Sequence, residues 1–341
     1  MLNIQNNVKL ATYTTFSIGG KAKYLVEAEN LADIRQAVEI AKDKEVPLLI
    51  IGGGSNLLIS DRDFEGLVIV NKLKGIKEIR ERNSNEVLVT AKAGEVWDDL
   101  VKYTTKRNYW GLENLAYIPG TVGACPVQNI GAYGREIKDT FVSLEALNIE
   151  DLTLRTFYLK DCNFGYRSSI FKEGLKGKYI IVSVTFKLSL LPAPALDYGS
   201  LQEEINKEVV NINAEDVRLA VEKIRKSKLP EPKEFGNAGS FFKNPEISQE
   251  EFEKLKEKFP DIKYYDLPSG LVKVPAGWLI ERAGWKGKDL GLAGVWHQQA
   301  LIVVNKGGAS FNDIKFLTKT IICEVKDKFG IELTPEVNII E

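Results

Sequence analysis

Histidine is nearly absent from this 341-residue chain: His297 is the single one. That excludes a histidine-built metal site and leaves a Ser-His-Asp triad almost without material. Cysteine is scarce too. Cys125, Cys162 and Cys323 are odd in number and widely spaced, so they make neither a CxxC pair nor a disulfide framework. A reducing cytoplasm is the expected setting. No charge of one sign prevails, with 46 Lys and Arg against 47 Asp and Glu. Nucleic-acid binders carry a basic surface, so no nucleic-acid partner is expected, although a local cationic pocket for a small anion stays open. Long apolar runs are missing as well. "VPLLII" (46–51) is far too short to span a bilayer, and no membrane partner is expected. The stretch "MLNIQNNVKL" has no apolar h-region, so no signal peptide is expected.

What is present suits packed cores. Apolar residues make up 44% and charged residues 27%, over a length typical of two or three domains. Residues 22–51 read as strand, helix and strand, with Leu31, Ile34, Val38 and Ala41 on one helical face and Asn30 as the cap. Such a crossover implies parallel pairing. "GLVIVN" and "EVLVTAKAG" follow as strands. A helix over "EVWDDLVKYTTKR" places Trp97, Leu100, Val101 and Thr104 on one side. Further strands are expected over "LRTFYLK" and 178–190, with a loop at "PAPALDYG" (192–199). A helix capped by Asn213 is expected to end at Pro230. Beyond it lie a helix with a Ser248–Glu251 capping box, a short helix stopped by Gly284, and a long one stopped by Gly330. "IELTPEVNII" reads as a final strand.

Several stretches carry chemistry. "IIGGGSN" runs from a strand into three glycines, a loop that can turn its amides toward an anion or simply turn tightly. It is not a GxGxxG fingerprint, and the helix that fingerprint needs is missing. "IPGTVGACPVQNIGAYG" places Gly120, Gly123, Gly131 and Gly134 among small residues and the amides of Gln128 and Asn129. Two such loops suit a large nucleotide-like cofactor, or are structural. In "FGYRSSIFK", Arg167 beside Tyr166 is either a cation–π residue or a carboxylate clamp. Ser240 in "GNAGSFFKNP" is a turn residue, a nucleophile or a proton carrier, and the nucleophile lacks a base. Glu336 in "LTPEVNII" is an exposed carboxylate or one aimed by Pro335. His297 reads as a packing residue.

Taken in order, "TTFSIGG", "IGGGSN", "GLENLAYIPGTVGACPVQNIGAYG", "FGYRSSIFK", "KLPEPKEFGNAGSFFKNP", "PAGWLIERAGWKG", "HQQALIVVN" and "LTPEV" resemble the UDP-N-acetylenolpyruvoylglucosamine reductase (MurB) family. Each motif alone is weak; the ordered set is specific and spans residue 12 to the C-terminus. The resemblance implies an α+β, vanillyl-alcohol-oxidase-type (PCMH-type) FAD-binding fold of two α/β subdomains plus a third, substrate-binding α+β domain. The subdomains are placed at 1–66, at 67–228 with 330–341, and at 229–329. It implies a cytoplasmic, monomeric flavoenzyme of peptidoglycan precursor synthesis. Such an enzyme takes hydride from NADPH through FAD and reduces UDP-N-acetylglucosamine enolpyruvate to UDP-N-acetylmuramate.

Carried onto this sequence, Gly52, Gly53, Gly54, Ser55 and Asn56 would cradle FAD. So would Ile118, Pro119, Gly120, Thr121, Gly123, Ala124, Gln128, Asn129, Gly131 and Ala132. Arg167 and Glu336 would flank the double bond, and Ser240 would donate the proton. Tyr166, Tyr198, Lys228, Asn244 and Gln299 would bind substrate, Tyr198 as a lid. No metal is implied. Cys125 reads as packing. His297 is far in sequence from both glycine loops, so non-covalent FAD is expected. Rival readings are a flavin oxidase of the same fold and a non-catalytic flavin or UDP-sugar binder.

Overall fold

A computed structural model describes residues 2–205 and 212–341. The chain divides into two compact units. The first is Met1–Val8, Ala22–Gly53 and Phe64–Ser227; the second is Lys9–Lys21, Gly54–Asp63 and Lys228–Glu341.

The first unit holds two sheets. One has the strand order Gln5–Lys9, Lys21–Ala28, Phe64–Asn71, Leu48–Ile51. The strand–helix–strand expected over 22–51 is present, but its two strands do not pair with each other. Both pair in parallel with Phe64–Asn71, which lies between them. The reason is burial: Leu67, Val68, Ile69 and Val70 are all fully buried, so this strand takes the position covered on both faces. The crossover helix Leu31–Asp43 is closed by a reciprocal Asn30–Asp33 capping box and buries Ile34, Ala37, Val38 and Ala41. The second sheet is antiparallel, ordered Leu154–Tyr158, Phe141–Asn148, Tyr179–Ser189, Glu86–Lys92, Ile76–Ile79. Helix Trp97–Thr105 buries Trp97, Leu100, Val101 and Thr104, the face its spacing predicts. Helix Ala214–Lys226 carries an Asn213–Asp216 capping box and ends at Lys226, short of Pro230. The residue before a proline disfavours the helical region, so the chain leaves the helix early.

The second unit is built from helices Gln249–Lys258, Ala276–Arg282 and Phe311–Phe329 with short strands. Phe311–Phe329 ends on Gly330 in the left-handed conformation, φ 72°. The expected strand over "IELTPEVNII" is confined to Asn338–Ile340, which pairs in parallel with Leu57–Ile59. Residues 331–337 are irregular because they are used otherwise. Ile331, Leu333 and Val337 enter the hydrophobic core, and Pro335 bridges to Phe242.

Candidate functional site: glycine loops, an arginine turn and a serine turn

The first unit brings the two glycine loops together. A Cβ at Gly52 would lie 2.3 Å from Thr121 Oγ1, and one at Gly53 would lie 2.9 Å from Gly120 Cα. The loops therefore meet backbone to backbone, which only residues without side chains permit. Ile118 and Pro119 lead into this contact. Gly123 continues it, since its Cβ would fall 2.6 Å from that of Ala93. Gly53, Pro119 and Ala124 stay exposed, a strip with little side chain. Cys125 is buried and its Sγ contacts the Thr121 carbonyl at 3.3 Å, as packing requires.

The same loop carries the arginine turn. Gly165 and Ser168 exchange backbone hydrogen bonds of 3.0 and 3.3 Å, leaving Tyr166 and Arg167 at the tip. Arg167 sits at φ 52°, an uncommon backbone for a non-glycine residue. Three bonds from the loop hold this turn. Asn129 Nδ2 donates to the Gly165 carbonyl at 3.0 Å, Ser169 Oγ to that of Val127 at 2.7 Å, and Arg167 Nη2 to that of Gly131 at 2.6 Å. Asn129 is fully buried; it also donates to Glu136 and accepts from the Lys138 amide. Its side chain is thus spent on the protein, and a ligand would meet its backbone. Gln128 closes the turn Pro126–Gln128, and Gly131–Ala132 pairs with Arg135–Glu136. The guanidinium of Arg167 is 5.4 Å from the Tyr166 ring. Tyr198 packs edge-on to Tyr133, ring centroids 5.3 Å apart.

The second unit builds the serine turn. Asn237 Oδ1 accepts from the Gly239 amide at 3.0 Å and Nδ2 donates to the Phe235 carbonyl at 2.8 Å. Gly239 has φ 69° with nothing within 4 Å of a Cβ, so open space lies beside Ser240. Thr15 Oγ1 donates to the Asn237 carbonyl at 2.6 Å, and the Thr15 amide donates to that of Gly54 at 3.2 Å. Phe241 and Phe242 are each 1% exposed and anchor the turn. Beyond them the Glu336 amide donates to the Phe241 carbonyl at 2.7 Å, and Asn56 Nδ2 donates to the Glu336 carbonyl at 3.4 Å. Ser240, Glu336 and the segment Gly54–Ser55–Asn56 are thereby interlinked. Asn244 Oδ1 accepts from the Ala276 amide at 2.9 Å, at the start of a helix. Gln299 Oε1 accepts from the Leu301 amide at 3.3 Å. Lys228 is exposed, and its carbonyl takes the Trp296 indole N–H at 3.1 Å. His297 is exposed beside Trp296, ring centroids 4.2 Å apart.

Sequence reasoning missed Asn114, Arg225, Thr15 and Asn237. Arg225 reads in sequence as a helix C-terminal charge, yet its Nε donates to the Tyr117 carbonyl at 3.0 Å and burial pulls its basicity below the ordinary arginine value. Asn237 had a signal, an Asn two residues before a glycine, the spacing of an Asx turn. A cleft of about 490 Å³ on the five-stranded sheet, lined by Lys77, Thr90, Lys92, Ser183 and Thr185, contains none of the expected residues. Among the described residues no His, Cys, Asp and Glu cluster could hold a metal ion, and no helix is long and apolar enough to cross a membrane.

The group these loops imply is FAD. The residues fit it: bare glycine backbone for a ring or diphosphate to approach, with the Thr121 hydroxyl beside Gly52.

Comparison with known proteins agrees. Residues 231–340 match the family model for the C-terminal domain of UDP-N-acetylenolpyruvoylglucosamine reductase, and residues 22–156 match that of an FAD binding domain. The UDP-N-acetylenolpyruvoylglucosamine reductase of Flavobacterium johnsoniae is 46% identical over 99% of this chain and 100% of its own. That of Pseudomonas aeruginosa is 44% identical over 99% of both. The crystal structure of UDP-N-acetylenolpyruvylglucosamine reductase (MurB) from Thermus caldophilus shares the fold, with TM-score 0.70, 24% identity and full coverage of both chains. The expected α+β FAD-binding fold with a distinct C-terminal domain is borne out. At this identity and coverage, the chain belongs to the UDP-N-acetylenolpyruvoylglucosamine reductase family.

Proposed function

We propose that the protein reduces UDP-N-acetylglucosamine enolpyruvate to UDP-N-acetylmuramate with NADPH, a step of peptidoglycan precursor synthesis. The observation that carries this is full-length similarity to reductases of that name at 46% and 44% identity. Its support in the molecule is the linked Ser240 turn and Glu336. The subdomain bounds 1–66, 67–228 with 330–341, and 229–329 belong to the same reading. So do a monomeric state and the tyrosine-lid subtype.

FAD, held non-covalently by Gly52–Asn56 and by the loop from Ile118 to Ala132, supplies the hydride chemistry that no side chain can. The residues of the chain do the rest. Hydride addition to the enolpyruvyl double bond leaves carbanionic charge spread onto the neighbouring carboxylate. Arg167 neutralises that charge where it develops, its guanidinium fixed by the Gly131 carbonyl. Glu336, once protonated, adds a hydrogen bond to the same carboxylate. Ser240 gives its hydroxyl proton to the carbanionic carbon. Serine is a weak acid in water, but the acceptor here is strongly basic and the turn fixes the approach. Tyr166, Tyr198, Lys228, Asn244 and Gln299 bind the sugar nucleotide.

The test is anaerobic. NADPH should bleach the yellow holoprotein, and UDP-N-acetylglucosamine enolpyruvate should restore the colour while UDP-N-acetylmuramate forms. Bleaching that only oxygen reverses would favour an oxidase. A protein that cannot be loaded with FAD would end the flavoenzyme reading.

A further inference from the structure

Asn114 is fully buried, yet it is an amide. Its Nδ2 donates both protons to backbone carbonyls, to Tyr133 at 2.9 Å and to Ala195 at 2.8 Å. Its Oδ1 is buried with no hydrogen-bond partner among the described residues. An unmet buried acceptor is costly, and an apolar side chain of similar size would avoid that cost. The two donated bonds are what the asparagine uniquely provides. They join loops far apart in sequence. Tyr133 follows Gly131, whose carbonyl holds Arg167. Ala195 lies in the loop that ends at Tyr198. Much of that loop faces solvent, with residues 191–194, Asp197 and Tyr198 exposed, while its two ends are bonded to Ser189 and to the amides of Leu201 and Gln202. Its other attachments include the half-buried Leu196, which packs on the core, and the Tyr133–Tyr198 ring pair.

We propose that Asn114 is a positioning residue for substrate binding, pinning the Tyr198 loop to the loop that holds Arg167. The inference rests on the reading of Tyr198 as a substrate-binding residue. Asn114 touches neither reacting atoms nor substrate. It acts by keeping Tyr198 in reach, which spares the encounter the ordering of a free loop.

The test uses the FAD-loaded full chain and both half-reactions. Asn114→Ala should leave flavin bleaching by NADPH within about twofold. It should raise KM for UDP-N-acetylglucosamine enolpyruvate about tenfold with little change in kcat, the loss expected for two backbone ties. The decisive readout is a cycle with Tyr198→Ala. Asn114→Ala should add nothing to KM in that background, because the loop no longer presents the ring. An equal tenfold rise in both backgrounds, or no rise in either, overturns the proposal. If Asn114→Ala fails to load flavin, Asn114→Ser, which keeps one donor, goes through the same cycle. Failure of both makes Asn114 a folding residue and also overturns it. If the unaltered enzyme does not turn over the enolpyruvyl substrate, the functional reading has failed. The pin is then judged by protease nicking of residues 191–198, faster in Asn114→Ala if the pin is real and unchanged if it is not.

Discussion

The amide of Glu336 donates to the carbonyl of Phe241 at 2.7 Å, and the Phe241 amide donates to the Leu301 carbonyl at 2.8 Å. The peptide after Ser240 is thus clamped from both sides, and the carboxylate candidate hangs from the same clamp. A hydroxyl that must deliver a proton to one carbon needs such a fixed backbone more than it needs intrinsic acidity. Replacing Ser240 by Ala removes the proton and leaves the clamp, which is backbone throughout. Reoxidation of the reduced enzyme by the enolpyruvyl substrate should fall by about 10²–10⁴-fold, while bleaching by NADPH stays within about twofold. Stopped-flow absorbance of the two half-reactions checks this. Loss of both would assign Ser240 to cofactor binding or folding.

The glycines of the two loops are not interchangeable. Gly54 has φ 63°, and a Cβ there would lie 1.9 Å from the Tyr13 carbonyl oxygen, a backbone atom with nowhere to go. Gly134 has φ 79° with nothing within 4 Å. Gly54→Ala should therefore cost several kcal/mol, about 3 or more, and lower FAD retention on gel filtration. Gly134→Ala should cost only the left-handed backbone penalty, about 1–2 kcal/mol, with flavin kept. Thermal unfolding of the two variants side by side separates clash from strain.

How much of this was legible in the sequence depends on the range of the interactions involved. Capping boxes at Asn30–Asp33, Asn213–Asp216 and Ser248–Glu251 are three-residue signals, and the helices begin where they say. The buried face of Trp97–Thr105 follows from helical spacing alone. Strand order did not: nothing local tells that Phe64–Asn71 separates two strands joined by a single crossover. The end of the chain misled for a similar reason, because the apolar alternation of 331–337 serves a core facing and not a ladder. For the candidate site, motifs pointed to Arg167 on one unit and to Ser240 and Glu336 on the other. The residues that hold their backbones, such as Thr15 and Asn129, act through long-range bonds to carbonyls. Carbonyls carry no side-chain identity, so sequence cannot name the partner.

Helix Ala214–Lys226 carries a charged cluster of its own, which the Thr105 hydroxyl joins to helix Trp97–Thr105. Arg218 donates to Glu215 at 2.6 Å and to Glu222 at 2.5 Å, and Thr105 Oγ1 donates to Glu215. Hydrogen bonding from Lys226, opposed by burial and aided by Arg218, holds the Glu222 carboxyl below the ordinary glutamate value. At Glu215 burial pushes upward, but the bonds from Arg218 and Thr105 outweigh it and the net direction is down. A carboxyl depressed in the folded state stabilises it fully above its unfolded value, about 4.3, and loses that contribution as pH falls further. Arg218→Met should lower stability by about 1–3 kcal/mol at pH 7. The gap in Tm between variant and parent should narrow as pH drops below about 4. A gap that is constant with pH would mean the arginine acts by packing and not by charge.

The thiols report on the second glycine loop without any substitution. Cys323 is exposed, whereas Cys125 and Cys162 are buried. Burial pushes the Cys162 thiol up to about 12, with Asp161 adding to the shift. It pushes Cys125 well above the ordinary thiol value. Only the thiolate attacks a disulfide reagent, so burial and raised values both protect Cys125 and Cys162, and exposure singles out Cys323. At pH 8 an aromatic disulfide reagent should modify one thiol rapidly, identified as Cys323 by peptide mapping, and the other two only after denaturant is added. Cys125 lies between Gly123 and Gln128 in the loop expected to hold FAD, packed on the Thr121 carbonyl. A fast second thiol mapping to Cys125 would mean that this loop opens in the folded enzyme. Its rate measured with and without FAD would then give the free energy by which cofactor binding closes the loop.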